Sequence, residues 1–181
     1  MKKTFIKLLT ISTALFIFSN ISGCSSPVSK EAIVVSQIAV SKHHDKSVSV
    51  VTQGGNETTA MDSTNISDEE LAAAITESIT RNKLFQKVIQ GGQSDYRLNV
   101  SIINMSKPVF GLTFTVQMEA AWSLVNVKDN SVVMRETINS THTTSFSEAF
   151  AAVTRLKLAV EGAVKENIRL GLTKISQLDL K

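Results

Sequence analysis

Few residues in this 181-residue chain are of types that do chemistry, and their spacing decides what each could do. His43 and His44 lie in KHHDKS and suggest metal ligation or an acid–base pair. Adjacent residues in a turn point apart, however, and no Cys or Glu joins them at zinc-ligand spacing. A solvated turn is the expectation, with no metal. His142, inside STHTTS, is near enough in sequence to serve as a base for Ser140 or Ser145. No acid is placed to orient its ring, so a surface strand position suits it better. Glu119 and Glu136 fall on neighbouring expected strands and invite comparison with the carboxylate pairs of glycosidases. Glutamates on polar strand faces are ordinarily solvated instead. Gly54-Gly55 and Gly91-Gly92 lack the spacing of phosphate-binding loops. These residues imply neither a catalytic centre nor a cofactor. What remains is Cys24, the only cysteine, which has no partner for an internal disulfide.

The neighbours of Cys24 choose among a thiol nucleophile, a buried filler and an attachment point. Lys2, Lys3 and Lys7 form a positive start, and Leu8 to Phe18 form a short apolar run. About 7–15 apolar residues followed by small ones is a secretory leader, whereas a membrane span needs roughly 20. Ile21-Ser22-Gly23-Cys24 resembles the bacterial lipobox: an aliphatic residue, two small residues and the cysteine. The resemblance implies a diacylglyceryl thioether on Cys24, cleavage just before it and acylation of the freed amine. A nucleophilic cysteine needs an ordered site with a base beside it, and Ser25, Ser26 and Pro27 read instead as a tether. Several acyl chains, each CH₂ contributing about 0.8 kcal/mol, anchor a protein stably where one does not. Ser25 in place of Asp resembles the pattern of lipoproteins exported to the outer membrane. The expected organisation is a leader over 1–23, a lipidated tether over 24–31 and one periplasmic domain over 32–181.

Removing the leader changes the charge. The chain carries 19 basic and 16 acidic side chains. The leader takes Lys2, Lys3 and Lys7 and no acid with it, leaving sixteen of each sign. No bulk electrostatic attraction to nucleic acid survives. The remaining 158 residues suit one domain, large enough to be stable without disulfides.

Hydrophobic periodicity supplies the elements. Ala32 to Val40 (AIVVSQIAV) predicts a first strand, KHHDKS a turn and SVSVVTQ a returning hairpin strand. Ser67 and Glu70 form a capping box before a helix over Leu71, Ile75 and Ile79 that ends near Asn82. Leu84, Phe85, Val88 and Ile89 make a short apolar run, and DYRLNVSI alternates as a strand. LTFTVQMEAAWSL alternates over its whole length, with Leu112, Phe114, Val116, Met118, Ala120, Trp122 and Leu124 on one face. Lys128 to Ser131 is a turn, and Val132 to Thr144 a more polar returning strand. Ser145 and Glu148 form a second capping box before an apolar stripe running from Val153 to Ile175. Gly162 and Gly171 either weaken that helix or let it approach the sheet closely. The fold class expected is α+β: a two-layer sandwich of an antiparallel sheet with two helices on one face.

Trp122 sits in register with the apolar face and reads first as a core anchor. The alternative is an apolar groove lined by Trp122, Phe114 and Met118 that accepts a lipid chain. The helix, LFQKV, SDYRLNVSI, AAWSLVNVKDNSVV and the long final helix together resemble small Gram-negative envelope lipoproteins over residues 66–178. The nearest likeness is to the auxiliary lipoproteins of ABC-type lipid transport systems and to YajG-like lipoproteins. That resemblance implies a non-enzymatic accessory or structural subunit, held in the outer membrane by Cys24, facing the periplasm and docked on an envelope protein. A free strand edge, or the polar face carrying Thr113, Thr115, Gln117 and Glu119, is the expected docking surface. A lipid or glycan carrier is the alternative, and an envelope enzyme relying on His142 the third reading. Neither acyltransferase hexapeptide repeats nor an HHxxxDG motif occurs.

Overall fold

A computed structural model describes residues 26–58 and 64–181. In chain order the elements are α1 (Lys30–Ile33), β1 (His44–Gln53), α2 (Asp68–Arg81) and β2 (Phe85–Val88). They continue with β3 (Tyr96–Ser106), β4 (Phe114–Asn126), β5 (Val132–Thr144) and α3 (Ala152–Ile175). The five strands form one sheet in the order β2-β1-β3-β4-β5. The class is α+β, as expected. The apolar face of the sheet (Val48, Leu98, Val100, Trp122, Leu124) and the apolar stripes of α2 and α3 form a single core.

The sheet is mixed rather than antiparallel. β3, β4 and β5 form the expected antiparallel meander, but β1 runs parallel to both its neighbours. Val48 stands opposite Val88 near the end of β2 and opposite Tyr96 at the start of β3. Since β2 stops at the level where β3 begins, residues 89–95 pass from one side of β1 to the other without a return helix. Asp95 fixes that crossing: its carboxylate accepts from Ser47 N at 2.7 Å and Ser47 Oγ at 2.6 Å.

Ala32 to Val40 is not a strand. Its first residues close the short α1, and residues 34–40 then run as an extended strap beside α2. β-branched residues favour that extended backbone, yet the hydrogen-bond partners come from side chains and not from a neighbouring strand. Val35 N donates to Ser78 Oγ and Ile38 N to Asn82 Oδ1, each at 2.9 Å, while Asn82 Nδ2 donates back to Val35 O. Ser41 N reaches Ser176 Oγ just beyond α3. KHHDKS, expected as a turn, divides: His43 precedes β1 and His44 is its first residue. Val28, at 2% exposure, already packs into the body within the stretch expected to be tether.

The two capping boxes differ from their sequence pattern in different ways. Ser67 Oγ accepts from Glu70 N at 3.2 Å, as expected, but the Glu70 carboxylate turns to Lys30 N at 2.6 Å. Ser145 and Glu148 do bond to each other, yet they close an isolated turn, and α3 begins only at Ala152. The helix therefore spans 24 residues, and Val153 is left 42% exposed. The alternation of β4 likewise begins two residues late, which leaves Leu112 at 71% exposure in the preceding loop.

Candidate functional site

The residues of reactive type do not converge. His142 lies on the edge strand β5, opposite Val116, with its ring against α3 at Gly162. A Cβ at Gly162 would fall 2.2 Å from that ring, so the glycine permits the close approach. Ser140 Oγ faces away from solvent and donates to Ala163 O at 2.8 Å. Ser145 is engaged by Glu148, whose carboxyl is held below its ordinary range by the Ser145 backbone N–H and then its hydroxyl. Glu119 pairs with Asn139 on the uncovered side of the sheet, whereas Glu136 pairs with Trp122 on the helix side. Glu136 reaches Lys174 at 3.3 Å. The two carboxylates thus stand on opposite faces and cannot share a substrate. Among the described residues no three His, Asp or Glu side chains gather as a metal site.

His44 is the one buried histidine, at 6% exposure. Its Nε2 donates to Ile175 O at 3.1 Å and its ring lies 5.0 Å from that of Phe85. Burial holds its pKa below the ordinary value, with the Ile175 carbonyl opposing and the charges of Lys42 and His43 adding to the depression. Between the folded pKa and about 6.5 the unfolded chain binds the extra proton, so stability rises with pH there. Urea midpoints should therefore fall as the pH drops below about 6.5. His44→Gln, which keeps a donor near Ile175 O, should flatten that fall; an equal pH dependence in the variant would exclude His44 as its source.

Trp122, Phe114 and Met118 are 0%, 4% and 2% exposed. Trp122 Nε1 donates to Asn167 Oδ1 at 2.9 Å. Asn167 Nδ2 in turn donates to Ile138 O at 2.9 Å and Ser140 Oγ at 3.2 Å. The backbone of Gly171 lies so close over the indole that a Cβ there would sit 2.6 Å from it. The space expected as a lipid groove is therefore filled by α3, with its polar atoms satisfied. The hollows lie elsewhere. One of about 700 Å³ is lined by His43, His44, Thr76, Phe85 and Lys87, and one of about 510 Å³ by His142, Lys165, Glu166 and Arg169.

Two surfaces remain. The first is the sheet face opposite the helices, which no element among the described residues covers. There Thr115 pairs with Thr143, Gln117 with Thr141, Glu119 with Asn139 and Ser123 with Arg135. Thr115 and Thr143 share a hydroxyl–hydroxyl bond of 2.9 Å. Thr113 lies just before β4, so the polar face expected from sequence runs from Thr115 onward. The long strand β5 is also a sheet edge.

The second surface was not foreseen. Val109, Phe110 and Leu112 in the β3–β4 loop and Phe146 and Phe150 in the β5–α3 loop are all exposed. Arg155 joins the two loops. Its Nη1 donates to Ala149 O and Phe150 O, its Nη2 to Gly111 O, and its guanidinium lies over the rings of Phe114 and Phe146. It is 4% exposed and has no carboxylate partner among the described residues. The available signal was Arg155 itself, four residues before Ala159 and so in line with the buried stripe of α3.

Cys24 and its neighbours Ile21, Ser22 and Gly23 lie outside the described residues. No helix among those described is long and apolar enough to cross a membrane.

No family model matches the sequence, and no curated protein matches it. Similarity appears at the level of fold. A Xanthomonas campestris protein of the DUF330 family is 12% identical over 83% of this chain and 92% of its own, with a TM-score of 0.57. A hypothetical protein from Chlamydia trachomatis is 8% identical over 72% of this chain and 98% of its own, at 0.51. A candidate lipoprotein from Caulobacter crescentus is 15% identical over 71% of this chain and 87% of its own, at 0.50. At these identities the likeness is one of overall fold alone.

Proposed function

We propose that this chain is an envelope lipoprotein of a Gram-negative bacterium, anchored through Cys24 and acting as a non-enzymatic docking subunit. The uncovered sheet face carries the reading. Thr115, Gln117, Thr141 and Thr143 are exposed on it, and their hydroxyls and amide offer the hydrogen-bonding groups that a protein interface uses, about ten bonds in a typical one. The lipobox and the likeness in fold to a candidate lipoprotein support the anchor. Ser25 after the cysteine favours the outer membrane, with the domain in the periplasm. A transport or assembly complex is the kind of partner that such an accessory serves.

Photo-crosslinking groups at Gln117 and Asn139 should yield a discrete adduct with one envelope protein in intact cells. The same group at Lys157, on α3, should not. Equal smears from both faces would overturn the reading. Gln117→Arg with Thr143→Arg, which do not stand directly opposite each other, should weaken co-purification by about tenfold or more, while stability shifts by no more than about 1 kcal/mol.

A further inference from the structure

Phe110 is 88% exposed, Val109 92% and Phe150 83%. Single exposed apolar residues are ordinary, but a contiguous apolar end on a monomer marks a contact surface. Its place in the fold says what it contacts. The described chain begins at this same end. Thr64 Oγ1 donates to Ser26 O at 3.3 Å and Val28 N to Asn65 O at 3.2 Å. Lys107, the residue that leaves β3 for the apolar loop, donates to Thr64 O at 3.1 Å and to Asn65 Oδ1. Cys24 is two residues before Ser26, a reach of about 7 Å when extended. Acyl chains on Cys24 would therefore bring this end of the domain, and not the β2 edge or the open sheet face, against the headgroups.

We infer that the two apolar loops are a membrane-contact face, with Phe110 and Phe150 seated in a phospholipid leaflet beside the anchor. The inference rests on the lipid-anchored reading proposed above. Residues of this kind settle roughly 5–10 Å into the headgroup–acyl boundary. At this end Lys107 is held on Thr64 and Asn65, and the exposed carboxylate of Glu148 accepts from Ser145. Arg155 holds both loops at one level, so the two phenylalanines enter together and the anchor and loops fix the tilt of the domain. The open sheet face is then presented sideways to a partner instead of being laid on the bilayer.

The test uses the full processed protein in phosphatidylethanolamine–phosphatidylglycerol vesicles whose acyl chains are brominated. Phe110→Trp places a reporter on one loop and Phe150→Trp a second on the other. Trp122 is the only native tryptophan and is buried, so the unsubstituted protein supplies an unquenched background. Seating at roughly 5–10 Å should remove more than about half of each reporter's emission. Mass spectrometry of the same samples reads acylation of Cys24. Acylated protein with both reporters quenched supports the inference. Acylated protein with both unquenched overturns it and leaves the anchored reading intact, and protection from aqueous acrylamide without bromine quenching would assign the face to a protein. Protein without acyl chains overturns both readings, because the tether argument goes with the anchor.

Discussion

Replacing Trp122 by alanine is expected to lower stability by about 5 kcal/mol and the melting temperature by roughly 10–20 °C. The indole is fully buried beneath α3, where removing a large aromatic costs about 3–5 kcal/mol in transfer and cavity energy. Its loss also leaves Asn167 Oδ1 without its donor, a further cost of about 1–3 kcal/mol. Gly171 cannot fill the space without moving the helix backbone. A domain of this size has about 5–15 kcal/mol to lose, so the variant should be folded marginally or not at all. Trp122→Phe should cost roughly half as much, because the ring is kept and only the hydrogen bond and part of the volume go. Thermal melts of both variants decide the matter. A Trp122→Ala protein within about 1 kcal/mol of the parent would mean that the indole is not the packing centre described.

Cys24→Ser should have the largest effect on where the protein resides. The thioether expected at Cys24 forms through sulfur, and a serine hydroxyl offers no thiolate for that alkylation. In the pathway that the lipobox resemblance implies, cleavage follows lipidation, so the precursor should keep residues 1–23. Labelled palmitate should fall to background, and the processed, membrane-extractable form should disappear. The folded body should survive, since Cys24 precedes Val28, the first buried residue among those described. A Cys24→Ser chain that still took up label and reached its processed size would remove the basis of the anchor.

The sequence made the parts with a regular period legible. Seven alternations over 112–124 located β4, and the Phe114-to-Leu124 face is buried as that pattern requires. The stripe from Val160 to Ile175 identified the buried side of α3. Failures came where local pattern and partner part company. Ala32 to Val40 has strand composition, but its donors are answered by Ser78 and Asn82, two polar residues on a helix that composition alone does not link to it. Parallel pairing of β1 depends on where β2 stops relative to β3, a register with no mark in either segment. The polar sheet face followed from the alternation of β4. The apolar end did not, because Phe110 and Phe150 are distant in sequence and become one surface only through Arg155.

The strap beside α2 has a mechanical consequence. It enters at the anchor end, where Lys30 N meets Glu70, and leaves beyond α2, where Ser41 N meets Ser176. With Cys24 anchored and the body held by a partner as proposed above, a pull would reach the bonds of Ser26 and Val28 to Thr64 and Asn65 first and the strap after them. The bonds of Lys30, Val35, Ile38 and Ser41 are spaced along the strap. They share the load in shear, where a segment peeled from a sheet edge would break its bonds one at a time. An anchored domain would thus bear tension through several bonds at once, with Ser176 passing part of it to the end of α3, the longest helix among the described residues.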